Sequence, residues 1–433
     1  MIRIRSSTTR LLRWYWVVTL LIGEIFLYYW HVQSCRWPTS AQKGGVEPAR
    51  VAIVADPQIV DHYSYNQTGV LLRVVEFFTD IYIKKSYIFL QMLREPDTVI
   101  FLGDLMDGAR EWNDSDWHEE YDRYKALFRN RSPGSMKVYD MAGNHDIGIG
   151  NTVVDSALER FHKYVGPTNQ VLHIADHEVI LLDTLTLESD LGRVNRSSRD
   201  LVERLAAAPA SSPRLLFTHV PMWRPAETYC GPLRQASTKY LKNRRGYQFR
   251  DQLFQNTTEY LLESIAPTAV FSGDDHDTCT IQHPTHRGKA ATEYTIGAFG
   301  WASGVPIASY GLMTLYPGDN STGRAPEFYV TNCYLPYQLG IYKVYIASFV
   351  LSLLVVVAVC YWETRGLRQW WHSKQGSDAE YMPVRLPPPT SLDRHPRHWG
   401  MHGLVRKVGI TMRDVAVVAL PTYIACLAVY YIV

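Results

Sequence analysis

The sequence predicts an α/β layered domain held between transmembrane helices. Three observations carry this. Residues 11–30, 342–362 and 415–433 are strongly apolar, each near the ~20 residues a helix needs to cross ~30 Å of hydrocarbon. Between them, short apolar runs of four to six residues recur, and most end at a polar cluster, as expected of strands buried on both faces. Helically spaced segments separate several of the runs, and alternating strand and helix implies a layered core. The chain of 433 residues, 46% hydrophobic and 20% charged, is ample for such a core and excludes disordered, collagenous and disulfide-knot classes. Lys+Arg 44 against Asp+Glu 42 leaves a net charge of +2, which gives no reason to expect a nucleic-acid partner.

Residues 1–34 read as a cytosolic N-terminus and a first transmembrane helix, aromatic and broken only by Arg13 and Glu24 within 11–30. A cleaved signal peptide is the competing reading, but no small-x-small cleavage site follows. Glu24 also prompts an ion pathway; one acid in one helix is poor support, and local pairing explains it as well. Residues 341–362 form the second helix around an uninterrupted SFVLSLLVVVAV, and 414–433 the third, weakened by Pro421. Tyr and Trp crowd the ends, at headgroup level. Residues 1–13 carry four Arg and no acid, and 363–413 carry nine Lys or Arg against four acids, so both flanks are expected in the cytosol. The run RLPPPTSLDRHPRHW in 363–413 reads as a basic, mostly irregular linker beside an anionic leaflet.

Residues 35–340 then lie across the membrane, in a lumen. Glycosylation sequons at Asn66, Asn113, Asn130, Asn195, Asn256 and Asn320 all fall there, Asn130 being weakened by Pro133 after its Ser. Cys35, Cys230, Cys279 and Cys333 also fall there, an even number suited to disulfides in an oxidising compartment. Three connectivities stay open, with four free thiols as the alternative. Within this segment the expected strands are VAIVA before Asp56, TVIFLG before Asp104, VYDMAG before Asn144, VILLD ending at Asp183, LLFT before His219 and AVFS before Gly273. Val70–Leu93, Thr152–Tyr164 and Asp200–Ala207 read as helices. Polar residues just past strand C-termini gather at one edge in such folds.

Five clusters follow these runs: Asp56-Pro57-Gln58, Gly103-Asp104-Leu105-Met106-Asp107, Gly143-Asn144-His145-Asp146, Thr218-His219 and Gly273-Asp274-Asp275-His276. Taken singly, an Asp after a strand is more often a cap or turn residue. Together they place Asp, Gln, Asn and His in one layer, an oxygen- and nitrogen-rich set suited to two divalent cations.

These motifs resemble the calcineurin-like metallophosphoesterase superfamily, whose pattern is D-x-H, G-D-x-x-D, G-N-H-D/E, a lone His and G-H-x-H. Gln58 stands where His is usual, and Asp274 stands where the first His of the last motif is usual. The form ADPQ … FLGDLMDGAREW … GNHDIGIG … SGDDHDTC is similar to the fungal cell-division-cycle manganese phosphoesterases, endoplasmic-reticulum membrane proteins allied to the phosphodiesterases that remodel glycosylphosphatidylinositol (GPI) anchors. The resemblance implies a four-layer β-sandwich flanked by helices. It implies one metal held by Asp56, Gln58, Asp104 and His276, and a second held by Asp104, Asn144, His219 and Asp274. It implies phosphodiester hydrolysis, with manganese favoured because both departures replace imidazole by a hard oxygen donor. His145 is placed to touch a phosphate oxygen or to protonate the leaving oxygen. Asp146 is grouped with it as catalytic, orienting His145 or nearby backbone, with a helix cap before 152–164 as the equal alternative, and Asp107 is expected to hydrogen-bond behind the ligands without binding metal.

Trp112, Trp223 and Arg224 follow catalytic strands and are candidates for substrate contact, and Asp275 and Asp277 for attracting an ammonium group. The substrate implied is a GPI-anchored glycolipid or protein losing a side-branch ethanolamine phosphate from a mannose. The alternatives are another lipid or lumenal phosphate ester, or a non-catalytic membrane scaffold, which loss of ligands would favour.

Overall fold

The computed structural model describes residues 6–40, 47–64, 68–132, 134–208, 210–284, 290–319, 321–378 and 401–432. The chain divides into two compact units, Tyr28–Gln338 and a second made of Met1–Leu27 with Leu339–Val433.

Tyr28–Gln338 is a four-layer α/β sandwich. Strands β1 (Ala49–Val54), β2 (Thr98–Phe101), β3 (Lys137–Asp140), β4 (Gln170–Ile174), β5 (His177–Leu181) and β6 (Arg214–Phe217) are followed by the short hairpin β7 (Arg245–Gly246) and β8 (Phe249–Arg250). Then come β9 (Ala269–Ser272), β10 (Cys279–His283), β11 (Ala291–Thr295), β12 (Ser309–Tyr316) and β13 (Glu327–Tyr334). One sheet has the order β13-β12-β1-β2-β3, the other β10-β11-β9-β6-β5-β4. Both are mixed: β1, β2 and β3 pair in parallel, as do β5, β6, β9 and β11, while the flanking pairs are antiparallel.

Val51 and Ile53 of one sheet and Leu215, Phe217 and Phe271 of the other share one core, with Phe217 stacked on Phe271 at 4.6 Å. The alternate β1 residues Ala52 and Val54 are also fully buried, because helices cover the outer faces. On the first sheet these are α3 (Gly69–Arg94) and α4 (Asp114–Leu127), which follow α1 (Ser6–Leu21) and α2 (Leu27–Ser34). Tyr87 of α3 and Tyr124 of α4 pack on Phe101 of β2 at 6.0 and 5.9 Å. On the second sheet lie Gly192–Ala207 and Gln255–Ile265, tied down where the Arg214 guanidinium donates to Leu205 and Ile265 carbonyls at 2.9 and 3.1 Å.

The ends of this unit meet. Cys35 pairs with Cys333 and Cys230 with Cys279, and Tyr28 Oη donates to Gln338 Oε1 at 2.6 Å. Among the expected glycan acceptors, Asn113 and Asn256 are exposed, Asn113 also capping α4, and Asn130 is half-buried. Asn66 and Asn320 lie outside the described residues. Asn195 is a correction: it is buried, its amide donating to Ser189 O at 2.7 Å, so the folded chain leaves no room for a glycan there.

Among the described residues, three helical segments are long and apolar enough to cross a membrane: Ser7–Ser34, Gln338–Glu363 and His402–Tyr431. The first continues across the unit boundary through a π turn at Ile22–Phe26. The other two belong to the helices Gln338–Asp378 and Met401–Ile432, longer than expected. Residues 363–378 and 401–413 are therefore helical rather than irregular linker. No proline falls between 338 and 382 to stop propagation; the PPP run lies outside the described residues. Glu24 is buried and pairs locally, accepting from Tyr345 Oη at 2.9 Å.

Candidate metal centre

The polar residues beyond the strand ends converge at one edge of the sandwich. Asp56 follows β1, Asp104 β2, Asn144 β3, His219 β6, and Asp274 and His276 β9. Ligand atoms of Asp56, Asp104 and His276 all lie within 4.8 Å of one another, as do those of Asp104, His219 and Asp274. Asp104 belongs to both groups. Gln58 Nε2 is 3.0 Å from Asp104 Oδ2, and Asn144 Oδ1 is 3.0 Å from His219 Nε2. Rotating the Gln58 amide by half a turn presents its oxygen to a cation in place of its nitrogen. All seven expected ligands are thus brought together.

The backbone bends sharply to do this. Asp56, Gln58, Asp104, Asp274 and His276 have φ of 45, 34, 51, 61 and 65°, a left-handed conformation costing a non-glycine residue roughly 1–3 kcal/mol. Five such turns at one edge aim side chains inward where ordinary strand ends would splay them. Gly143 permits the closest approach: a Cβ there would meet Asp104 Oδ1 at 2.0 Å and Asp104 N at 2.1 Å.

Hydrogen bonds select the histidine atoms. His219 Nδ1 donates to Leu102 O at 2.7 Å and His276 Nδ1 to Ser303 O at 2.8 Å, which leaves each Nε2 to face the cluster. Asp104 Oδ1 accepts the His145 N–H at 2.9 Å and lies 3.3 Å from His219 Nε2. Burial alone would raise the Asp104 carboxyl, but His219 and His145 outweigh it and hold it well below the usual range. Asp56, fully buried, is pushed up by that burial to about 7, with His276 and His219 only partly offsetting it. Three carboxylates packed this closely lack positive charge, and the donor set of carboxylates, amides and imidazoles fits divalent cations.

Residues 49–277 match the calcineurin-like phosphoesterase family. The chain belongs to that family. It is 34% identical over 368 residues to Cell division control protein 1 of Saccharomyces cerevisiae, covering 79% of this chain and 74% of that protein. It is 24% identical over 334 residues to the Metallophosphoesterase 1 homolog of Caenorhabditis elegans (76% and 86% covered) and 24% identical over 367 residues to Metallophosphoesterase 1 of Mus musculus (78% and 87%). As a calcineurin-like phosphoesterase it is a metal-dependent enzyme, whose cations supply an activated water and offset charge on phosphoryl oxygens when bound.

A cavity of about 250 Å³ adjoins the centre, lined among others by Gln58, Asp107, His145, His276 and Trp301. His145 Nδ1 lies 2.6 Å from Asp107 O and 3.0 Å from Asp107 Oδ1, with Nε2 3.9 Å from Asp104 Oδ2. Burial lowers His145, but Asp104 and Asp107 prevail and raise it to about 9. Asp107 thus holds the His145 ring. Asp146 does not reach the cavity. It is buried and accepts the N–H groups of Gly143 and Leu105 at 2.8 and 3.1 Å, so it positions the two ligand loops instead of acting on substrate.

The expected substrate contacts are corrected. Trp112 stacks on His62 at 3.7 Å and donates to Asp61, and Trp223 N–H is tied to Thr258 Oγ1; neither lines the cavity. Asp275 is paired with Arg234, and Asp277 accepts the N–H groups of Gln235 and Ala236, so neither is left to attract an ammonium group. Arg224 is buried and ion-paired with Glu293 at 2.7 Å, beside the disulfide sulfur of Cys279. Sequence reasoning missed Gln248, whose carbonyl accepts from Asn144 Nδ2 at 3.0 Å and whose Oε1 accepts from Arg110 at 2.7 Å. It sits in a two-residue hairpin with no local motif. Arg110 stood in the GAREW run and holds Asn144 O at 3.0 Å.

The Glu293 contacts set an acid dependence. Burial would raise Glu293, but Arg224, His283 and Ser272 outweigh it and hold it at about 2. Its contribution to stability is therefore present above the unfolded value near ~4.3 and lost as pH falls from there towards about 2. Glu293→Gln is expected to cost ~3–5 kcal/mol at pH 7 by stranding the buried Arg224 charge. Intrinsic-fluorescence melting in detergent at pH 7, 5 and 3 measures both effects; an unchanged melting temperature at pH 7 would refute them.

Proposed function

We propose that this calcineurin-like phosphoesterase is a phosphodiesterase of the endoplasmic-reticulum membrane that removes a side-branch ethanolamine phosphate from a mannose of GPI anchors. One observation carries the reading: two ligand groups share Asp104 in front of His145 and an open cavity, in a domain continuous at both ends with apolar helices. Asp56, Gln58, Asp104 and His276 hold one cation; Asp104, Asn144, His219 and Asp274 hold the other. Segment 35–340 lies in the lumen, in keeping with the basic flanks, the exposed Asn113 and Asn256 and the paired cysteines. His145 binds the phosphoryl group or delivers the proton to the departing oxygen, and Asp107 fixes its ring.

The deciding experiment incubates purified protein with a defined GPI glycan bearing ethanolamine phosphate and with aryl phosphates, and follows both by mass spectrometry. Loss of ethanolamine phosphate is expected. Turnover of aryl phosphates alone transfers the chemistry to another ester, and no turnover of either leaves a scaffold.

Manganese is the proposed cation. Five ligands offer oxygen and two offer nitrogen, and hard oxygen donors suit manganese relative to zinc, although zinc binds more tightly in absolute terms. Reconstitution of metal-free protein at equal free ion concentrations is expected to give highest turnover with manganese, and Gln58→His with Asp274→His to move the preference towards zinc or iron. Zinc equalling manganese in the unmodified protein would end this account.

A further inference from the structure

Helix α3 has different neighbours along its length. At its middle, Tyr82 Oη donates to Pro336 O at 3.0 Å, its ring meets Tyr28 edge-on at 5.7 Å, and Lys85 Nζ lies 5.1 Å over the Tyr28 ring. Tyr28 and Pro336 stand where the catalytic unit runs into the first and second apolar helices. The middle of α3 is therefore seated at the point where both membrane connections leave the domain. On another face, Thr79 and Ile83 line the cavity beside His145 and His276.

The N-terminal part of α3 differs from both. Val70 is 82% exposed, Leu71 56% and Val74 45%. Val70 and Val74 border a groove of about 690 Å³ whose lining includes Leu72, Phe77 and Phe78, with Arg73 the one charged residue among the described residues that line it. Val74 lies eight residues from Tyr82, ~12 Å along a helix at ~1.5 Å per residue. Because the chain enters the apolar helices directly from Tyr28 and Pro336, this aliphatic surface is tethered close to a bilayer, and large exposed apolar patches mark contact surfaces.

We infer that the N-terminal half of α3 is a lipid-contacting surface: Val70, Leu71 and Val74 enter the bilayer interface, with Arg73 at the level of the lipid phosphates. Apolar side chains buried in the interface give such helices their membrane affinity. The contact holds the domain against the bilayer, so a lipid-borne phosphodiester reaches the cavity beside His145 and His276 without leaving the membrane surface. The lipid contact stands on this geometry; its use in substrate delivery rests on the phosphodiesterase reading above.

The test uses the full chain in phosphatidylcholine nanodiscs, with Cys360→Ser and Cys426→Ser removing the two cysteines outside the disulfides. Leu71→Cys and Val74→Cys, each labelled with bimane, are expected to be quenched by doxyl-labelled phosphatidylcholine at least threefold more than labelled Asp200→Cys on the helix covering the other sheet. Quenching by aqueous iodide without quenching by doxyl lipid overturns the inference. Protection from both quenchers also overturns it, by placing a protein partner or a second copy on the surface. In the activity arm, Leu71→Asp with Val74→Asp is expected to slow cleavage of a vesicle-embedded GPI glycolipid at least tenfold while leaving hydrolysis of soluble bis-p-nitrophenyl phosphate unchanged. Equal cleavage in vesicles overturns the delivery role. If the unmodified protein cleaves neither substrate, the phosphodiesterase reading fails, and the quenching result still decides the lipid contact.

Discussion

Asp104→Asn is expected to lose turnover by at least ~10³-fold, the scale of removing one major charge contact from a transition state, and to lose metal as well. Asp104 is the one residue common to both ligand groups. Its Oδ1 lies between the His145 amide and His219 Nε2, and its Oδ2 faces Gln58. An amide in its place can still accept the His145 N–H, so the fold is kept. It brings no charge, and its Nδ2 points where a cation ligand should be. Inductively coupled plasma mass spectrometry should find well under two metals per chain beside a near-native circular dichroism spectrum. Turnover within tenfold of the unmodified protein, with metals retained, would remove Asp104 from the centre.

His145→Ala separates chemistry from metal binding. Its ring is held by Asp107 and opens on the cavity, where it can hand a proton to a departing oxygen. A general acid contributes ~10²–10⁴-fold, and most where the leaving oxygen is basic. The variant should therefore keep its metals, lose rate in that range on a sugar or alkyl phosphodiester, and lose much less on a p-nitrophenyl ester, whose leaving group needs no proton. Equal losses on both would assign His145 to phosphate binding alone. No loss on either would exclude it.

The site was legible because its ligands sit at strand ends, where short all-apolar runs such as VAIVA and AVFS stop at a polar residue. Those runs are buried on both faces, so their composition announces them. The strands that close the sheets were not legible. β13 is half-buried along nearly its whole length, and β10 alternates buried and exposed residues over only five positions. The substrate contacts failed for a different reason. Arg224, Asp275 and Asp277 stand next to motif residues in sequence, but each is neutralised by a partner far along the chain: Glu293, Arg234 and the 235–236 amides. Adjacency in sequence gives no information about such partners. The left-handed turns at five ligands were equally hidden, since only a small share of non-glycine residues adopt them and sequence does not mark which.

The closure of the domain's two ends has a consequence for its birth on the ribosome. β1 takes its antiparallel neighbour from β12, and Cys35 waits for a partner 298 residues later. At ~5–20 residues per second, that is roughly 15–60 s during which one edge of β1 is unpaired and one thiol is free. The first sheet cannot be completed before residue 334 has emerged, so the nascent chain passes through a long interval in which a chaperone or oxidoreductase can engage it. A ribosome stalled between β11 and β12 should hold a chain with Cys35 still reactive.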